Sequence, residues 1–360
     1  MAIVKAQEMA PRIQSVATAL PPYYVDQPTL TAALSRLWRD CPAHLARFER
    51  IQRALGVRGR YLPLPLDEYM PLDSFAKCND AWLRLAPDLA ERAVRAALDN
   101  AGLSAREIDH IFFVTVTGIA TPSLEVQLIN RIRMRRDIRR TPIFGLGCAA
   151  GAGGLGRAAD YLRAYPEHIA MLVSVELCSL TLQRADTSVT NMIASGLFGD
   201  GAAAVIIRGA ELGGNQRPRI VDSRSIVYPD SERALGWDLV ESGFKIVLSA
   251  RLPELVRDHL ADDVDGFLAR HELGRDDISH WIVHAGGPKV LEAVEEALAL
   301  APAALGGSWR SLQRIGNVSS SSVLFILEEL LGSGRPTPGQ WGVMLAMGPG
   351  FGLEIVLLRW

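Results

Sequence analysis

The chain has 360 residues, 49% of them hydrophobic, and a net charge of −2, enough to bury a large core and too neutral for nucleic-acid binding as a main function. Four cysteines without regular spacing suggest neither a disulfide framework nor a zinc site. No apolar run reaches the length of a membrane span and the N-terminus has no signal-peptide pattern, so a soluble enzyme of a reducing cytoplasm is expected.

Along the chain, Gln27–Ala54 reads as helical and precedes the first core unit. Leu62–Leu72 (LPLPLDEYMPL) is proline-rich and reads as an extended covering loop. The basic run Arg131–Arg140 (RIRMRRDIRR) reads as a solvated helix or loop face, with contact to phosphates or an acyl carrier protein as the alternative. Ile143–Leu146 reads as a buried strand, and the glycine-rich run after Cys148 leads into a helix through AADYLRAY. Cys148 thus falls at a strand–helix junction. Unpaired N–H groups and the helix dipole there favour a thiolate, a nucleophile suited to covalent catalysis. A small residue in a tight core is the bland alternative. Gly209–Pro218 is the best boundary between two halves, 1–212 carrying the cysteine and 213–360. No dinucleotide fingerprint or P-loop is present, so no cofactor is expected.

Leu103–Gly118 (LSAREIDHIFFVTVTG) recurs as Leu273–Gly287 (LGRDDISHWIVHAGG), with Ile108 on Ile278 at an offset of 170. GLGCAAGAGGL matches RIGNVSSSSVL at an offset of 169, placing Cys148 on Asn317. Two matches at nearly one offset indicate a duplicated α/β unit. In a pseudo-twofold duplication, Cys148 caps one helix N-terminus and Asn317 the facing one. His284 ends the matching strand of the second copy, where ligands of open α/β sheets bind. The remaining histidines, His44, His110, His168, His259, His271 and His280, read as surface or structural residues.

At these residues the chain resembles the thiolase superfamily and, within it, the bacterial branch of the type III polyketide synthases, which are chalcone synthase-like. The motifs are GLGCAAGAGGL, ELCSLT, GLFGDGAAAV, WIVHAGGPKV, GNVSSSSVLF and GPGFGLE, and they run from about Ile13 to Trp360. The resemblance implies a duplicated five-layer αβαβα architecture and a homodimer. It implies Cys148, His284 and Asn317 as catalytic residues. It places Phe198 at one gatekeeper position and Ile246 at the second, where the family has an aromatic ring. It assigns Cys178, Thr181, Trp237 and Ser319 to the substrate pocket and Thr121 to the partner's cavity. Arg47, Arg50 and Lys289 correspond to coenzyme A-binding positions, whereas a third such position is Ala54. Glu176 receives no role, and Asp200 is expected only to shape a turn behind Phe198.

The implied reaction is iterative decarboxylative condensation of malonyl-CoA onto an acyl-CoA starter held on Cys148. His284 pairs with the thiolate, and His284 with Asn317 stabilises the enolate. Ile246 and Trp237 suggest a fatty acyl-CoA starter and an alkylpyrone or alkylresorcinol product. Aromatic starters, or malonyl-CoA as its own starter, are alternatives. The rival readings are a ketoacyl-ACP synthase III-like single condensation, a cysteine hydrolase, and a non-catalytic thiolase-fold binding protein.

Overall fold

The computed structural model describes residues 10–38, 42–213, 218–301 and 303–360, with backbone only from 42 to 44. The side chain of His44 and residues 214–217 of the boundary stretch therefore lie outside the described residues, as do residues 1–9. Among the described residues no helix is long and apolar enough to cross a membrane.

Nine strands form one sheet. The N-terminal half contributes β1 (Arg12–Ala19), β4 (His110–Val114), β5 (Arg139–Ile143), β6 (Ile169–Leu177) and β7 (Asp200–Arg208). The C-terminal half contributes β8 (Arg219–Val227), β11 (Ile278–Val283), β12 (Trp341–Gly348) and β13 (Gly352–Arg359). The order is β11-β12-β13-β8-β1-β7-β6-β4-β5. β1, β7, β6 and β4 pair antiparallel, antiparallel and parallel, and β8, β13, β12 and β11 repeat that series. The duplication seen as two sequence matches is thus a duplication of topology. The halves meet at one edge, where β1 and β8 pair only at Arg12 and Arg219.

The middle layer is a pair of helices, α5 (Ala150–Ala164) and α10 (Ser322–Gly332). α5 packs against β4 and β6 on one side and β8, β12 and β13 on the other, while α10 contacts β1, β7, β11 and β12. Glycine is a poor helix former, yet α5 is rich in it because two layers press on it. A Cβ at Gly151 would stand 2.2 Å from the Ser320 carbonyl oxygen.

One outer layer is α3 (Phe75–Ala101), capped by Ser74 and closed by Gly102 in the left-handed region. Its buried alanines allow a close seat on β1, β6 and β7. In the C-terminal half, α7 (Leu252–Ala269) and α8 (Pro288–Leu298) pack on each other. Tyr228 donates to Asp263 of α7 at 2.7 Å. Two small antiparallel sheets complete the fold: β2 (Tyr23–Asp26) with β3 (Gly59–Leu62), and the hairpin of β9 (Leu235–Val240) with β10 (Gly243–Leu248).

Two expectations need correction. Ile143–Leu146 is not a buried strand. β5 ends at Ile143, pairs only with β4 at the sheet edge, and gives way to a turn with Gly145 at φ +97° and Phe144 54% exposed. The basic run is an exposed helix-end and loop face, as expected, and three of its arginines are ion-paired there: Arg131 meets Asp88 and Glu91, Arg135 meets Asp109, and Arg140 meets the buried Glu125. The second correction concerns register. The helical turns Gly147–Ala149 and Ser319–Ser321 lead into α5 and α10 alike, an offset of 172 between Ala150 and Ser322. Cys148 is therefore the counterpart of Ser320, and Asn317 precedes the equivalent turn.

Candidate active site

Cys148 sits mid-turn at the start of α5, buried, with its Sγ 3.5 Å from Ser319 Oγ. Ser319 belongs to the facing turn and adopts φ +47°, which aims its hydroxyl back at the thiol. Asn317 organises that turn: its Oδ1 accepts from the Ser319 amide at 2.8 Å, and its Nδ2 donates to the Gly286 carbonyl at 3.3 Å. Its backbone bridges Phe198, accepting from Gly199 N–H at 2.9 Å and donating to Leu197 at 2.8 Å. His284 extends the β11–β12 ladder by donating its amide to Leu345 at 2.8 Å, and Gly286 N–H closes back on the His284 carbonyl. The His284 ring is buried, with Nδ1 unpartnered. Cys148, Asn317 and Ser319 are thus joined by hydrogen bonds, and His284 is tied to them through Gly286.

The electrostatics differ from the thiolate expectation. Burial pushes the Cys148 thiol up to about 12, against smaller opposing help from Ser319 and Asn317. Burial alone pushes the His284 imidazole down to about 4. Desolvation thus opposes the charged form of both groups, against the helix terminus that favours a thiolate.

Cys148 packs in a small cluster with Cys178, Phe198 and Ile246, and Trp237 and Leu248 lean on it. Cys178, Phe198, Ile246 and Trp237 also line a cavity of about 690 Å³. The cluster is therefore the wall between the thiol and the cavity. Thr181 lines the same cavity, its hydroxyl donating to the Cys178 carbonyl at 2.7 Å. Ser319 does not line it, and its place is beside the thiol. The proline-rich stretch is more than a cover: it forms a helical turn, Leu66–Tyr69, whose residues build the cavity wall.

Arg47 and Arg50 are exposed on α2 (Pro42–Ala54). α2 packs on α6 (Val189–Leu197), and Gly287 lies against Leu197 at the end of α6. Lys289, exposed on the first turn of α8, is therefore on the same flank. None of the three cations lines the cavity, and neither does Thr121, which is exposed.

Two buried clusters carry no sequence motif of their own. Glu176 accepts from the Val116 amide at 3.0 Å and from Thr117 at 2.8 Å, and it bonds Ser320 across the halves. Asp200 is not a turn former. It opens β7 and accepts from the Ser179 amide at 2.8 Å and the Ser179 hydroxyl at 2.5 Å. Ser179 in turn shares a hydrogen with Tyr69 at 2.7 Å. Arg60 Nη1 donates to the Phe198 carbonyl at 2.6 Å, and its buried guanidinium is close enough for its charge to favour the Asp200 carboxylate. The acids are visible in ELCSLT and LFGDG, but their partners come from distant segments.

Comparisons with known proteins show the family and the fold. The N-terminal domain of the chalcone and stilbene synthases matches residues 4–211, and their C-terminal domain matches residues 219–360. A 1,3,6,8-tetrahydroxynaphthalene synthase of Streptomyces peucetius subsp. caesius is 50% identical over 97% of this chain and 93% of its own length. A putative chalcone synthase of Bacillus subtilis is 35% identical over 97% of this chain and 98% of its own. The crystal structure of 1,3,6,8-tetrahydroxynaphthalene synthase from Streptomyces coelicolor, a bacterial type III polyketide synthase, superposes with a TM-score of 0.92. It is 32% identical, covering 97% of this chain and 99% of that one.

Proposed function

The chain belongs to the chalcone and stilbene synthase family as a type III polyketide synthase, and we propose that it condenses malonyl-CoA alone into a polyhydroxynaphthalene. The observation that carries this reading is the 50% identity, over nearly the whole chain, to a 1,3,6,8-tetrahydroxynaphthalene synthase. A naphthalene carbon skeleton divides into acetate-sized units, so malonyl-CoA serves as starter and extender and no cofactor is required.

In this reading Cys148 attacks the starter thioester and holds the acyl group. His284 receives the thiol proton and gives it to the departing coenzyme A sulfur, so the starter thioester bond breaks as the Cys148 thioester forms. Loss of carbon dioxide from the next malonyl-CoA leaves an enolate. His284 and the Asn317 amide donate to its oxygen, one such donor being worth about 3 kcal/mol. The enolate carbon attacks the Cys148 thioester, and the chain grows past Cys178, Phe198 and Ile246 into the cavity. Arg47, Arg50 and Lys289 receive the coenzyme A phosphates outside. The unpaired thiols of Cys78, Cys148 and Cys178 suit a reducing cytoplasm. The exposed Thr121 faces a twofold partner in a homodimer.

A second reading has one specific observation behind it: Leu30, Leu34, Leu37, Leu62 and Leu66 line the cavity along with Ile246. Such a wall suits a fatty acyl-CoA starter and alkylpyrone or alkylresorcinol products. Incubation with malonyl-CoA alone, and then with a panel of acyl-CoAs, separates the two by mass spectrometry, with Cys148→Ala as control. A tetrahydroxynaphthalene from malonyl-CoA alone supports the first. Products only from long acyl-CoAs sink it in favour of the second, and a single condensation would move the chain toward the ketoacyl synthase class.

A further inference from the structure

We propose that Tyr69 is a catalytic residue for ring closure, exchanging protons with the polyketide chain through a relay of Ser179 and the buried Asp200. The inference rests on the aromatic-product reading above and names a part of the cavity that does the cyclising.

The observations are geometric. Tyr69 and Ser179 stand in the wall of the cavity, and Asp200 lies behind them, 1% exposed. The Ser179 hydroxyl donates to Asp200 Oδ2 at 2.5 Å, which leaves its oxygen to accept from the Tyr69 hydroxyl at 2.7 Å. The hydrogen bonds thus run one way, from the cavity wall to the carboxylate. Ser179 follows Cys178, which packs against Cys148, so a chain growing from the thiol meets the relay. The groups facing Asp200 are the Arg60 guanidinium from β3, the Cys178 amide and Ser179 from the turn after β6, and Tyr69 from the turn after β3. Burial raises the Asp200 carboxyl to about 7, with Ser179, the Cys178 amide and Arg60 opposing, so it both takes and returns a proton near neutrality.

The step balances without another reactant. A methylene flanked by two carbonyls gives its proton to Tyr69 Oη. The Tyr69 proton moves to Ser179, and the Ser179 proton moves to Asp200. The carbanion pair forms the new carbon–carbon bond to a distant carbonyl, whose π pair becomes an alkoxide. The proton then returns along the same three groups to that oxygen. Tyr69 touches the substrate, while Ser179 and Asp200 are positioning residues that act through it. Without the relay, the chain closes by its own enol oxygen to a lactone.

The test is the ratio of carbocyclic to lactone product, read by chromatography and mass spectrometry with malonyl-CoA. Tyr69→Phe and Ser179→Ala are each expected to lower that ratio about tenfold or more, while Ser179→Thr, which keeps the hydroxyl, restores it. The wild-type ratio should rise as pH passes through about 7, and that rise should flatten in Ser179→Ala. Circular dichroism and melting confirm that each variant is folded. Folded Tyr69→Phe and Ser179→Ala proteins with the wild-type ratio overturn the relay, as does a wild type that gives only lactones with every starter. A wild type that makes carbocycles only from longer acyl-CoAs sinks the malonyl-only reading. In that case the same variants, with that starter, decide the relay.

Discussion

Trp237 and Ile246 are cross-strand partners on the β9–β10 hairpin, so both side chains leave one face and meet Phe198. The Trp237 ring sits 6.2 Å from that of Phe198 and 6.1 Å from that of Phe244. One hairpin therefore sets both the partition in front of the thiol and the size of the cavity behind it. Trp237→Gly should lengthen or redirect the product, measured by mass spectrometry of wild type and variant with one starter. An identical product profile would remove Trp237 from the determinants of chain length.

The Cys148 thiol should react sluggishly. Raised from 9.0 to about 12, it offers little thiolate at neutral pH, so labelling by iodoacetamide should run about two to three orders of magnitude below a free thiol. Ser319→Ala removes a bond that favours the thiolate and should slow labelling further. Fast labelling near pH 6 would mean a stable thiolate–imidazolium pair with His284 instead.

Gly151→Ala tests the closeness of the middle layer. The added carbon would stand 2.2 Å from the Ser320 carbonyl oxygen, a backbone atom that cannot rotate away. A loss of about 3 kcal/mol in urea unfolding is expected, with activity falling as the two helix starts are forced apart. A variant as stable as wild type would show that the two turns separate freely.

Asp200 makes stability depend on pH with a definite sign. Its carboxyl is raised from 3.8 to about 7, so the folded state holds a proton that the unfolded chain has released. That contribution is full below 3.8 and is lost as pH rises through about 7. Asp200→Asn cannot titrate, so its melting temperature relative to wild type should climb between about pH 4 and pH 7 and level off above. A difference that is flat across this window would exclude titration of Asp200 there.

The cations on α2 and α8 should act on substrate capture alone. Arg50→Glu combined with Lys289→Glu should raise KM for malonyl-CoA about fivefold to tenfold at low salt, with less effect at high salt and little change in kcat. An unchanged KM would place the phosphates elsewhere.

Much of the architecture was legible because the repeat is written twice in the chain. Cys148 and Asn317 could be paired because they fall in matched segments, and His284 because it ends a strand whose pattern recurs. The register error of about one helical turn at Asn317 arose because sequence similarity tracked glycines and serines rather than the start of each turn. The helix terminus that favours a Cys148 thiolate is visible in sequence, whereas the burial that opposes it is a property of the packed layers. Tyr69, Ser179 and Asp200 were invisible as a group. They lie on three separate elements, and no periodicity links a proline-rich loop to the residues that follow β6.

The offset of 172 between the two middle helices puts Ser320 where a second thiol would stand. That serine is fully enclosed and bonded to Glu176 and Ser174. The doubled framework thus has a dead side and a live side. Each chain has a single workbench, fed by both halves, and neither half keeps a full set of tools if it is expressed without the other.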